Sequence, residues 1–514
     1  MNDSRNPQFG KVYLVGAGPG DPSLITLKGV ECLRQADLVL ADYLVNPVLL
    51  GYVPPSVEVI RLGHHDQADP ISADEINARM IAAAREGKTV VRLKGGDPSV
   101  FGRGAEETEA LRQAGIPHRV VPGITAALAA AAYAEIPITH GESSSAVALV
   151  IAHESRGKKG PALDYAALAD FPGTLVFYMG AASARQWSEA LMRRGKSPET
   201  PVAIVRRSSW NDQETIRCTL GTVAETIEQT AVRPPTVVFV GPVVALAPKA
   251  SWFSQRPLFG VRLLVTRPRH QAESLAERLD ELGAQVSFQP VIDISDPADW
   301  EPVDRALRRL DQYDWLVFSS VNGVSYLLDR LWTIHGDLRK LACVKLAAIG
   351  PGTAEDLSRY RLRADLVPEQ YRAEALAEAL AGEAAGQRFL LARASRGREV
   401  LAEGLVRAGG LVDQIVVYRS SDVAAPDPEI AAALAAGQFD WITVTSSAIA
   451  QSLARLFGDD LRKARLASIS PVTSETLRRL GHPPAIEAGR YTMEGLVETI
   501  VAAQQRGQNV RSEP

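Results

Sequence analysis

The sequence predicts an α/β protein made of two successive halves. Three observations predict it. Short apolar runs of strand length alternate with amphipathic segments of helical period; glycine-rich or hydroxyl-rich turns follow the carboxyl ends of those runs; and the alternation lapses near residue 247 and starts afresh at 261. A chain of 514 residues is also longer than one hydrophobic core fills, so several domains are expected.

In order, VYLV at 12–15 reads as a buried strand, and GAGPGDP at 16–22 as the turn leaving its carboxyl end. A helix follows at 26–36, with Leu27, Val30 and Leu33 on one face, then a strand at 38–40 ending at Asp42. A dinucleotide site also places a glycine loop after its first strand and an acid after its second. Here, however, GxGxG runs into Asp-Pro and not into a helix, which argues against a nicotinamide or flavin. A helix at 74–86, a strand at 89–91, a helix at 105–114, a strand at 118–121 and the turn PGITA at 122–126 continue the series. Between them RLKGGDPSVFGRG, 92–104, packs four glycines, one proline and four charged groups into thirteen residues, a density that favours a ligand loop over a plain surface turn. Glycines admit close backbone approach and positive φ, while Asp97, Lys94 and Arg103 offer hydrogen bonds of both signs.

With 56 basic and 60 acidic residues the net charge is −4, so no global basic field recruits nucleic acid or an anionic membrane. Cys32, Cys218 and Cys343 lack CxxC spacing, which predicts neither a disulfide framework nor a metal site. The segment 1–11 has no apolar core of a signal peptide, and no run approaches the about 18 apolar residues of a membrane helix. A cytoplasmic protein is expected.

GAGPGDPSLITLKG, RLKGGDPSVFGRG and VPGITAA, in that order and spacing, resemble the uroporphyrinogen-III C-methyltransferases of the sirohaem and cobalamin pathways; the likeness spans 10–253. It implies a two-lobed α/β tetrapyrrole methyltransferase, commonly a homodimer, that binds S-adenosylmethionine (SAM) between its lobes. The cofactor contacts it implies are Pro19, Gly95, Gly96, Asp97, Val100, Thr125, Ala126, Met179 and Ser208. Those residue types suit SAM: glycine backbone for close approach, a carboxylate for its ammonium group and apolar walls beside the sulfonium. The alternative is that Asp97 merely caps its own turn. Asp42 falls on the family's general base and His64 on its lysine proton donor, since GHH replaces the usual Gly-Lys-Arg at 63–65. Two further departures are Gly141 where the family carries an arginine, and Arg206-Arg207-Ser208 where an acid, a polar residue and a glycine are common.

The second half opens on VTRP at 265–268 after an aperiodic segment, 247–260, that reads as a short stiff tether. Its loops recur: FSSVNG at 318–323 against VTSSA at 444–448, and IGPGT at 349–353 against ISPVT at 469–473, implying two similar α/β lobes. Hydroxyls and free amides at helix N-termini either receive carboxylates or simply cap the helices. With VVYR at 416–419 these motifs resemble uroporphyrinogen-III synthase across 258–505. The likeness implies two flavodoxin- or Rossmann-like lobes joined by connecting strands near 290–294 and 414–419, one lobe being assembled from both ends of this half. Tyr418 falls on the family's acid for hydroxyl departure, and Arg267, Ser319, Ser320, Asn322, Thr353, Arg393, Thr445, Ser446, Ser447 and Thr473 on carboxylate contacts of a linear tetrapyrrole.

Together the halves imply a bifunctional enzyme that cyclises hydroxymethylbilane to uroporphyrinogen III and methylates it twice to precorrin-2. Two alternatives stay open: methylation of another precorrin carbon, and a second half that binds tetrapyrroles without catalysis.

Overall fold

The computed structural model describes residues 9–63, 71–152, 163–397 and 399–512. His64 lies outside them. The chain divides between Gly260 and Val261 into two compact units.

In the first lobe of the first unit, strands Glu58–Leu62, Leu38–Asp42, Thr89–Lys94, Lys11–Gly16 and His118–Val121 lie side by side in that order. All pair in parallel. Both faces are buried, so the strands read as unbroken apolar runs. Val12, Leu14, Leu40 and Val90 pack with Met80 and Leu111 on one face; Val15, Val39, Ala41 and Leu93 pack with Cys32 and Leu33 on the other. The strand expected at 89–91 continues to Lys94, because buried Arg92 and Lys94 meet a carboxylate of helix Gly104–Gln113. The second lobe carries strands Val147–Ile151, Thr174–Tyr178, Thr236–Val240, Pro201–Arg206 and Glu214–Thr219 in that order; the first pair is parallel and the rest antiparallel. Its core includes Trp187 stacked on Phe177, ring centroids 4.5 Å apart.

The segment read as a tether is packed within this unit. Phe253 is 1% exposed and meets the rings of Tyr133 at 4.6 Å and Phe259 at 5.5 Å. Trp252 donates its backbone N–H to Glu135 at 2.7 Å, beyond the end of helix Ala126–Ala134. Aromatic burial without periodicity is invisible to a pattern reading.

In the second unit one sheet runs Gln285–Phe288, Arg262–Val265, Trp441–Val444, Arg465–Ser468, Ile486–Glu487, all parallel, so it draws on both ends of this half. The other runs Ile292–Ser295, Leu411–Asp422, Arg388–Ala394, Trp315–Phe318, Lys345–Ala348. The connection between lobes is antiparallel, Ile292 aligned with Asp422 and Ser295 with Arg419.

Candidate functional site

In the first unit three turns leave the carboxyl ends of adjacent parallel strands and meet backbone to backbone. Gly18 and Gly96 exchange hydrogen bonds of 3.2 and 2.7 Å. A Cβ on Gly123 would lie 2.3 Å from the carbonyl oxygen of Gly96 and 2.8 Å from Cα of Gly16, so only glycine lets these turns touch. Asp97, 9% exposed, fastens the junction: Oδ1 accepts from Ser99 N at 2.7 Å and Oδ2 from Gly123 N at 2.9 Å. It therefore caps its own turn and also holds the turn at 122–126. Gly96 has φ +67°, and a Cβ on Gly95 would meet only Leu44 at 3.2 Å. That leaves a cradle of bare backbone, the surface a SAM molecule needs for close approach.

Beside it, Val100, Phe101 and Ala126 pack against the cluster containing Tyr178. The Tyr178 hydroxyl lies 2.6 Å from Thr125 Oγ1 and accepts from Ala127 N at 2.9 Å, so it caps helix Ala126–Ala134 in place of the threonine. Burial pushes this phenol above its ordinary range, against the lowering effect of the Thr125 hydrogen bond; it stays protonated at neutral pH. Met179 follows with φ +56°, exposed, just past the strand; Phe101 and Arg103 also have positive φ, at +53° and +56°. Strained backbone gathered at one cleft is typical of ligand sites.

Pro19 and the turn that follows buried Ser208 belong to a clasp that pattern reading missed. Trp210 Nε1 donates to the Pro19 carbonyl at 3.1 Å, and Asp21 N donates to Ser209 Oγ at 3.0 Å. Tyr133 OH donates to Asp21 Oδ2 at 2.6 Å. The Arg206-Arg207 departure belongs to this clasp: Arg207 stacks over Trp210, 4.3 Å from the ring centroid, and its Nε lies 2.7 Å from Asp212. At Gly141 a Cβ would meet open space, so the backbone does not require glycine there.

Asp42 ends its strand with Oδ1 2.5 Å from Arg92 Nη2, and its side chain is 27% exposed. It is the open end of a buried charge array, Asp42, Arg92, Glu107 and Lys94.

In the second unit Tyr418, 6% exposed, lies 3.1 Å from Ser320 Oγ, so two expected residues meet. Ser320 also caps its helix, accepting from Gly323 N at 3.0 Å, and Ser446 accepts from Ile449 N at 3.2 Å; Ser470 caps Thr473 N. Thr473 is buried, and Thr476 Oγ1 donates to Ser447 at 3.0 Å. Thr353 is buried in its own helix, Thr445 is half-buried at a strand end, and Ser319 donates weakly to the Ala392 carbonyl at 3.4 Å. Arg393 is held by Glu399 and Gln414, each at 2.5 Å, which occupies its guanidinium.

Arg267 differs. Its Nη1 faces Met493 Sδ at 3.1 Å and its Nη2 Gln271 Oε1 at 3.1 Å, with no carboxylate partner among the described residues. Gln271 in turn donates to Asn322 of the other lobe. Burial lowers Arg267 to about 10, so at neutral pH it is a desolvated cation with no carboxylate to balance it among the described residues.

Known proteins share both units. Tetrapyrrole (Corrin/Porphyrin) Methylases match residues 11–224 and Uroporphyrinogen-III synthase HemD matches residues 273–498. Porphyrin biosynthesis protein HemD of Ruminiclostridium josui is 32% identical over 495 residues, 95% of each chain. Uroporphyrinogen-III C-methyltransferase of Bacillus subtilis (strain 168) is 36% identical over 355 residues, 68% of this chain and 71% of its own. A crystal structure of Uroporphyrin-III C-methyl transferase from Thermus thermophilus, complexed with S-adenyl homocysteine, is 38% identical over 46% of this chain and all of its own, with a TM-score of 0.40. Among the described residues no helix is long and apolar enough to cross a membrane. The chain belongs to the family of porphyrin-biosynthesis proteins in which a SAM-dependent tetrapyrrole methylase precedes uroporphyrinogen-III synthase, and it is a bifunctional tetrapyrrole enzyme.

Proposed function

We propose that the second unit closes hydroxymethylbilane to uroporphyrinogen III and that the first methylates this product twice to precorrin-2. The observation that carries the methylation reading is the junction of Gly16, Gly96 and Gly123, which keeps the backbone of Gly95 and Gly96 bare beside Val100, Ala126 and Met179. When bound there, SAM supplies a sulfonium methyl for an electron-rich pyrrole carbon. The residues of this chain do the rest. Gly95 and Gly96 offer backbone contact, Pro19, Thr125, Ala126 and Ser208 shape the walls, and Asp97 holds the turns in register. Asp42 accepts the proton that leaves the macrocycle, and Arg92 fixes one of its oxygens at 2.5 Å.

In the second unit Arg267 receives a carboxylate of the linear tetrapyrrole, while the hydroxyls of Ser319, Thr445, Ser446 and Ser447 and the amide of Asn322 add shared, individually small contacts. Tyr418 OH, oriented by Ser320, donates a hydrogen bond to the departing terminal hydroxyl. The chain's main work here is holding a flexible polyanion in the closing geometry. A homodimer and a cytoplasmic location complete the reading; light scattering at twice the 55.3 kDa chain mass, and cell fractionation, check them.

Two variants of the full chain test the division of labour. Asp42→Ala, fed hydroxymethylbilane and SAM, accumulates unmethylated uroporphyrinogen III, with methyl transfer down by roughly 100-fold or more and SAM binding kept within about twofold. Normal methylation by this variant removes Asp42 from the chemistry. Tyr418→Phe slows formation of the type III ring by about 10-fold or more, while stability falls only on the order of 1 kcal/mol for the lost hydrogen bond. An unchanged rate assigns Tyr418 to packing alone.

A further inference from the structure

Glu107 sits inside the first lobe, on the helix that packs over strand Thr89–Lys94. Its Oε1 accepts from Arg92 Nε at 3.0 Å and from Lys94 Nζ at 2.8 Å, while Oε2 is buried without a hydrogen-bond partner among the described residues. Arg92 is engaged on all three nitrogens: Nε by Glu107, Nη1 by the carbonyls of Leu40 and Leu93 at 3.4 and 3.3 Å, and Nη2 by Asp42 at 2.5 Å. The side chains of Arg92 and Lys94 are 4% exposed and that of Glu107 10%, against 27% for Asp42. Two cations and two anions thus form a buried array with a single open end. Asp42 Oδ2 has no partner among the described residues, so the array presents one oxygen.

Such an array is a poor stability device, since an apolar cluster of similar volume often does as well. It is a good positioning device. A guanidinium anchored at four points cannot rotate, and it therefore fixes the carboxylate it touches. Arg61, on the strand flanking the other side, aligns with Ala41 and so belongs to the opposite face of the sheet. The charged groups linked to Asp42 through ion pairs among the described residues are Arg92, Glu107 and Lys94. Burial, then the charge of Arg92, pushes Lys94 below the usual lysine range, which marks how fully this cluster is withdrawn from water.

We propose that Arg92 and Glu107 are positioning residues for Asp42: Arg92 orients the carboxylate through Oδ1, and Glu107 draws off part of the Arg92 charge so that Oδ2 stays able to take a proton. The inference rests on the reading of Asp42 as the base. Two variants pull in opposite directions. In Glu107→Gln the guanidinium loses its competing anion and binds Asp42 the harder, so protonation of Asp42 is disfavoured. In Arg92→Met that cation is gone and protonation is favoured.

The experiment is the pH dependence of kcat for methyl transfer by the full chain, with uroporphyrinogen III and SAM saturating. The acid limb moves about one pH unit down in Glu107→Gln and about one unit up in Arg92→Met. Arg92→Met also loses roughly tenfold or more in kcat, which Arg92→Lys partly restores. Limbs at the wild-type position, or moved in the same direction, overturn the inference. Should Arg92→Met fail to fold, Glu107→Gln decides alone: a lowered limb supports the proposal and an unmoved one ends it. Asp42→Asn separates the two readings. Activity in that variant refutes the base assignment itself, whereas its inactivity together with unmoved limbs refutes only the positioning.

Discussion

Replacing Gly123 with alanine abolishes measurable SAM binding and destabilises the first unit by about 2–3 kcal/mol, the range of overpacking against atoms that cannot move. The cause is space and not backbone freedom. The added methyl would sit 2.3 Å from the Gly96 carbonyl oxygen and 2.8 Å from Gly16 Cα, all of it main chain, in three turns already tied by Asp97 and by the Gly18–Gly96 pair. Relief requires the turns to part, and the cradle parts with them. Gly96→Ala is the internal comparison. There the φ of +67° imposes a penalty of about 1 kcal/mol, but no atom lies nearer than 3.9 Å to the new methyl. Titration calorimetry with S-adenosylhomocysteine and scanning calorimetry rank the two. The expected order is a far larger loss for Gly123→Ala, and the reverse order contradicts the junction.

Arg267→Met stabilises the substrate-free protein and weakens it as a catalyst. The folded state holds the Arg267 proton less tightly than the unfolded chain does, at about 10 and so well below the ordinary arginine value, with desolvation as the cause. The charge therefore costs stability at every pH below about 10, and the cost fades only as pH rises through the range between those values. With some solvent screening, removing it returns on the order of 2 kcal/mol at neutral pH. The same change deletes the uncompensated cation offered to a carboxylate, so KM for hydroxymethylbilane rises roughly tenfold or more. A raised melting temperature with a raised KM is the expected pair, a trade common at binding sites. A lowered melting temperature with unchanged KM makes Arg267 a structural residue.

Features built from local chemistry were legible in the sequence. The strand expected at 118–121 spans His118–Val121, and Ser320, Ser446 and Ser470 cap helices at the N-termini where their loops place hydroxyls. Features built from long-range pairing were not. Arg92 and Lys94 read as loop charges, yet they extend a strand because Glu107, 15 and 13 residues on, waits above it. Asp97 reads as a ligand or a turn cap, and its second partner, Gly123, is 26 residues away. Trp210, Asp21 and Tyr133 leave no periodic mark at all, since each meets its partner across more than a hundred residues. Tyr178 had a faint signal, a phenol hydroxyl ending the buried strand Thr174–Tyr178. The aperiodic segment at 247–260 looked like a tether because irregular aromatic packing has no period to detect.

One conversion by the intact chain tests both activities together. Supplied with hydroxymethylbilane alone, the protein should release unmethylated uroporphyrinogen III; with SAM added, the ring should gain two methyl groups, read by mass and isomer analysis. A product limited to the symmetrical type I ring, which also forms without an enzyme, or a type III ring that SAM leaves unchanged, would contradict the bifunctional reading.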